Sequence, residues 1–199
     1  MDLGLQSPQQ NFNMLYGYTT QEETTLILHY HDAIFKNATV LNDRKRPLFL
    51  IEGSPSWCWR RKVFNASGEL LFQLRHESFE TKNRWKIEDC NDRKLCSLAH
   101  EKISSDNSSI NATVHTLAGE DALVLMLPQG KGCAWTNIIV GGIIIAKIRN
   151  FIDNEKTMGF KYYNNDQSTW EIHVAAGVDL SIIVVLALSR AEMAHVWKQ

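Results

Sequence analysis

Gly177-Val178-Asp179-Leu180-Ser181-Ile182-Ile183-Val184-Val185-Leu186-Ala187-Leu188-Ser189-Arg190 is the stretch whose reading decides the architecture. Between Asp179 and Arg190 its only polar side chains are Ser181 and Ser189. Three readings compete for it. A membrane-spanning helix needs about 20 apolar residues, and this run is about half that length. A strand would suit the β-branched Ile182–Val185 segment, yet the stretch carries no turn signal and runs long for one. The third reading is a helix from about Asp179 to Val196, with apolar side chains on every face. A helix of that kind must lie inside something. Asp179 is placed to cap its positive end, and Arg190, His195 and Lys198 gather at the negative end. Such a helix spans about 27 Å.

What could enclose it is written upstream. From Thr24 onward, short β-branched runs alternate with clusters of turn residues. Strand candidates are Thr24–His31, Ala38–Leu41, Leu48–Ile51, Trp59–Phe64, Leu70–Leu74, Arg84–Glu88 and Leu95–Ala99. They continue with Ile110–Leu117, Leu123–Leu127, Ala134–Val140, Ile143–Ile148, Gly159–Tyr163 and Thr169–Val174. Three hairpins look like copies of one another, with turns beginning at Asn42, Asn65 and Asp89, spaced by 23 and 24 residues. A hairpin repeat cannot bury its own apolar face and must close against its neighbours. The expected fold is mostly β: a closed barrel of about twelve antiparallel strands around a central hydrophobic C-terminal helix. Eight strands would be too few, because their interior accommodates side chains alone. Residues 1–21, polar and rich in Gln and Asn, read as a flexible arm, and residues 22–199 as one domain.

Composition narrows the function. The 199 residues carry 21 Lys and Arg against 22 Asp and Glu, which excludes a strongly basic nucleic-acid binder and an acidic disordered chain. Met1–Gln21 has neither a basic nor an apolar region of a secretory signal. A cytoplasmic protein, peripheral at a membrane or nuclear, is therefore expected, with Cys58, Cys90, Cys96 and Cys133 reduced. The four N-x-[ST] sequons at Asn37, Asn65, Asn107 and Asn111 then read as turn chemistry. No paired CxxC, nucleophile elbow, phosphate loop, HExxH or EF-hand spacing occurs, so neither an enzyme nor a cofactor is expected. His29-x-His31-Asp32 has metal-ligand spacing on one strand face but no third ligand nearby, and no metal is expected. A monomer without a transmembrane span is the expected state.

Charge is uneven along the chain. From Lys36 to Lys86 eleven Lys and Arg face five acids, interleaved with Trp57, Trp59 and Trp85. Such a patch can bind anionic headgroups, with tryptophan at the interface. Arg60, Arg61, Lys62 and Arg84 are the candidate contacts. A solvated charged face with its tryptophans in the core is the plainer alternative.

The closing Gly177-Val178-Asp179 with Ile182–Leu188, together with Val63-Phe64-Asn65-Ala66-Ser67-Gly68-Glu69-Leu70-Leu71-Phe72 and Arg84-Trp85-Lys86-Ile87, resembles the LURP-one-related family over roughly residues 24–197. That family belongs to the tubby C-terminal-like superfamily, with the phospholipid scramblases. The resemblance implies a twelve-stranded barrel around a helix in which Asp179, Ile183, Leu186 and Trp197 are structural. It implies a non-catalytic regulatory or adaptor domain that binds anionic phospholipid, in particular phosphoinositide, on the outer barrel surface. A protein-interaction module that does not touch lipid, and scramblase-like lipid transport, are the alternatives. The chain departs from its relatives at Ser189-Arg190-Ala191, where an acidic helix end is common, and it lacks a scramblase-type calcium loop.

Overall fold

The computed structural model describes residues 4–9, 12–31, 36–54, 60–77, 84–102, 108–129, 135–150 and 169–196. Alternating burial along each segment makes strands of them: β1 (Thr24–Tyr30), β2 (Ala38–Leu41), β3 (Pro47–Gly53), β4 (Arg61–Asn65), β5 (Leu70–His76) and β6 (Arg84–Glu88). They continue as β7 (Lys94–Lys102), β8 (Ser108–His115), β9 (Asp121–Gln129), β10 (Trp135–Val140), β11 (Ile143–Asn150) and β12 (Thr169–Val174), and α1 (Leu180–Val196) follows. Each strand pairs antiparallel with its chain neighbours. β12 returns to β1, with Leu26 opposite Ile172 and Leu28 opposite Trp170, so the sheet closes into a barrel. Closure abolishes sheet edges. The strand candidate at Gly159–Tyr163 lies outside the described residues.

The side-chain period of two sends Leu28, Val40, Ile51, Val63, Phe72, Ile87, Leu98, Ala112, Met126, Ile138, Ile148 and Ile172 inward, where all are buried. They meet α1, whose Ile182 to Leu188 are buried without exception, Ile183 and Leu186 included. A 17-residue helix is about 26 Å long, and from Ser181 to Ser189 no face of it meets water. No described helix is long and apolar enough to cross a membrane. Trp197 lies outside the described residues.

Asp179 fixes where the helix starts. Its Oδ1 accepts the Ser181 amide at 2.8 Å and the Ser181 hydroxyl at 2.6 Å, as an N-cap does. Its Oδ2 accepts the amides of Met14 at 2.7 Å and Leu15 at 2.9 Å. The segment before Thr24 therefore differs from the loose arm expected of it over residues 12–20. Phe12 and Met14 are buried against the core, Leu180 donates to the Tyr18 carbonyl at 2.9 Å, and Leu117 donates to that of Asn13 at 2.8 Å. Two isolated apolar residues make no period, so nothing local marks this docking.

The hairpin copies are four rather than three. In each, the first turn residue accepts a bond from the amide three positions on: Lys45 to Asn42, Gly68 to Asn65, Asp92 to Asp89, Gly119 to Thr116. Asn42, Asn65 and Asp89 add side-chain oxygens that accept amides two and four residues ahead. Thr116 does the same work with its hydroxyl, accepting the Glu120 amide at 3.3 Å and donating to the Glu120 carbonyl at 2.8 Å. A search for Asn and Asp passes over it. The fourth turn residue has positive φ in every copy: Gly68 at 83° and Gly119 at 82°, but Lys45 at 57° and Asp92 at 59°.

Two stability tests follow from these contacts. Asp179→Ala leaves buried N–H donors without an acceptor at both the helix start and the arm, and should lower unfolding free energy by about 3 kcal/mol or more in urea titrations. In the turns, Lys45→Gly removes a left-handed residue that carries a Cβ and should raise stability by about 0.5–1 kcal/mol. A Cβ at Gly68 meets no atom within 4 Å, so Gly68→Ala carries the conformational penalty alone and should lower stability by about 1 kcal/mol.

Candidate functional site

The basic window spans β2–β6, and strand parity divides its strand residues. Arg61 lies opposite Leu74 and Gly53, with Val63 next on the same face. That face points inward. Arg61 is 2% exposed, and its Nη2 stands 2.9 Å from Glu192 Oε1 in the penultimate turn of α1. The expected outer cluster Arg60-Arg61-Lys62 is corrected accordingly: three consecutive strand residues cannot share a face, so Arg61 goes to the core while Lys62 is exposed. Trp85 is likewise a core residue rather than an interface one. Trp57 and Trp59 lie outside the described residues.

On the outer wall the remaining cations come into register. Arg60 immediately precedes β4, and on the next two strands Arg75 lies directly opposite Lys86. One step along, Glu52, Lys62, Gln73 and Glu88 form the next row across four strands. Arg84 is exposed at the start of β6, where its carbonyl accepts the Glu77 amide at 3.0 Å. Arg60, Lys62, Arg75, Arg84 and Lys86 thus share one wall with Glu52, Glu77 and Glu88. Arg75 and Lys86 entered the sequence reading only as members of the charged window, since cross-strand register is what brings them together. Burial would push the Glu88 carboxyl up, but hydrogen bonds from Lys86 and Arg75, with their charge, outweigh it and hold the group below its ordinary value.

Around Arg61 the core is polar. Trp85 is buried there, with its indole nitrogen out of contact with water, and the His76 ring lies 4.9 Å from that of Trp85. Arg190, two residues before Glu192 and on the other side of the helix, donates from Nε to Thr136 Oγ1 at 2.9 Å and lies over the Trp170 ring at 5.8 Å. These partners sit on β4, β5, β6, β10 and β12, so the C-terminal part of the helix is held from several sides. Burial raises Glu192, against the opposing pull of Arg61 and Trp85. Burial lowers His76 and His100, and the nearby charges of Arg61 and Arg190 lower them further.

The other candidates resolve into local contacts. His29 and His31 stand with ring centroids 5.3 Å apart, but His29 Nδ1 bonds Thr169 Oγ1 at 3.0 Å and His31 Nε2 bonds Thr39 Oγ1 at 2.7 Å. Among the described residues no three His, Cys, Asp or Glu are grouped to hold a metal. A cavity of about 210 Å³ at the opposite end of the barrel is lined by Met14, Arg93, Lys94, Leu95, His115, Thr116 and Leu117. There Arg93 is paired with Asp89 and His115 with Asp121.

The two lowered histidines set a pH dependence. Neutral in the folded chain and free to protonate in the unfolded one, they contribute stability that is complete above about pH 6.5 and lost as pH falls toward their lower folded values. Glu192, raised in the fold, works in the opposite sense above the ordinary carboxylate range. On lowering the pH from 7.5 to 5.5, the urea midpoint of His76→Gln/His100→Gln should shift upward relative to that of the unmodified chain.

A family model described as LURP-one-related matches residues 24–189. An X-ray structure of a protein from Arabidopsis thaliana is similar to this chain with a TM-score of 0.61 at 14% identity, covering 93% of this chain and 99% of that one. At that identity the likeness is one of fold, the tubby-like barrel. Comparison with curated proteins finds no match. With the family model spanning β1 to the middle of α1 and the same barrel in the structural neighbour, the chain belongs to the LURP-one-related family.

Proposed function

We propose that this chain is a non-catalytic domain that binds anionic phospholipid headgroups on the outer wall formed by β4, β5 and β6. The observation that carries this reading is the cross-strand pair of Arg75 and Lys86, flanked on the same face by Lys62 and Arg84, with Arg60 at the start of the same wall. Each Lys or Arg held near an anionic surface contributes about 1 kcal/mol. Specific headgroup recognition adds charge-assisted hydrogen bonds, which are strongest to phosphate. The barrel interior supports an outer site too, because α1 fills the space where a barrel would otherwise hold a ligand.

Vesicle co-sedimentation tests it. At low salt, the protein should pellet with phosphatidylcholine vesicles containing phosphoinositide and remain in solution with phosphatidylcholine alone. Arg60→Glu/Lys62→Glu/Arg84→Glu should weaken the partition at least tenfold. Arg61→Met/Glu192→Leu, which alters only the core pair, should pellet like the unmodified chain. Equal recovery with both vesicle types would overturn the proposal.

A further inference from the structure

Arg75 and Lys86 face one another directly across the β5–β6 pair, a placement in which like charges repel. Glu88, two residues beyond Lys86 and therefore on the same face, relieves it. Its Oε2 accepts Arg75 Nε at 2.9 Å and its Oε1 lies 2.5 Å from Lys86 Nζ. The three groups differ in access. The Glu88 side chain is 2% exposed, whereas Arg75 and Lys86 keep 30% and 29% of theirs in solvent. A carboxylate thus occupies the inner side of a two-cation fork whose outer side is open.

Oxygen anions held at these distances by one guanidinium and one ammonium are what a phosphate monoester presents, with more charge and a third oxygen to share. We propose that Arg75 and Lys86 form an anion subsite for a phosphate monoester and that Glu88 is its resident counter-ion, which the incoming phosphate displaces from one or both cations. This rests on the reading of the wall as a headgroup surface, and it adds the ligand group those two cations take and a built-in competitor. The monoester can belong to an inositol lipid or to a soluble inositol phosphate, since the fork meets only the phosphate. Ligand binding then exchanges one pair of ionic contacts for another, so affinity is held down by the chain's own carboxylate. Removing that charge should raise it.

The test uses the full chain and three probes: vesicles with phosphatidylinositol 4,5-bisphosphate, vesicles of matched charge made with phosphatidylserine, and soluble inositol 1,4,5-trisphosphate. Glu88→Gln keeps the shape and should bind the phosphoinositide vesicles about fivefold more tightly, with a smaller gain on phosphatidylserine, which has no monoester. Arg75→Gln and Lys86→Gln should each weaken the same binding several-fold. In the unmodified chain, inositol trisphosphate should shift the NMR signals of the Lys86 Nζ and Glu88 carboxyl groups, a readout that does not depend on the variant folding. A Glu88→Gln chain that melts cooperatively and binds no better overturns the subsite, even while the Arg60/Lys62/Arg84 variant still loses vesicle binding and upholds the wall. Shifts at Lys86 and Glu88 with the soluble phosphate, but no pelleting with any vesicle, uphold the subsite and overturn the lipid reading. No shift at either group overturns the subsite outright.

Discussion

Burial of a helix that is apolar on every side is the constraint from which the rest of the molecule follows. Such a helix cannot rest on one sheet face, since its far side would stay wet. It needs a wall all the way round, and twelve strands give a lumen wider than the eight-stranded barrels that side chains alone can fill. The constraint then bears on polarity at each end of the rod. At its start, Asp179 takes four donors and joins the helix to the segment before β1. Toward its finish, Glu192 meets Arg61 from the wall. Each is a charge that an apolar lumen would reject if left alone.

How much of this was legible in the chain depends on how far each interaction reaches along it. The helix could be read because a continuous apolar run between Asp179 and Arg190 is a local property. So could the strands, from alternation, and three of the four copied turns, from the Asn or Asp that opens each. Thr116 hid the fourth, because a hydroxyl makes the same bonds without the same letter. Arg61 shows a different failure: composition groups it with Arg60 and Lys62, whereas the period of two separates them. Glu192 gave no local sign of its partner, which lies on the far side of the domain in sequence. The register that sets Arg75 beside Lys86 depends on the β5–β6 pairing and could not be read from either strand by itself.

Parity also sorts the charged residues by role. Those that point inward, Arg61 and Glu192 with the half-buried Arg190, are occupied with one another or with core hydroxyls and rings. Those that point outward on β4–β6 face solvent or a partner. The same stretch of basic sequence therefore serves architecture through one set of side chains and recognition through the other. Counting charges along the chain overstates the outer set, and Glu88 reduces it further by claiming two of its members.

The order in which these parts leave the ribosome is the reverse of the order in which they are needed. β1 emerges early and waits for β12 to pair with it, and the segment that fills the lumen follows β12. Until β12 is synthesised the nascent wall has an open seam, and until α1 follows its apolar inner surface has nothing to cover it, the condition that slows folding and invites aggregation. A translation product halted before Leu180 would be a shell lacking its contents.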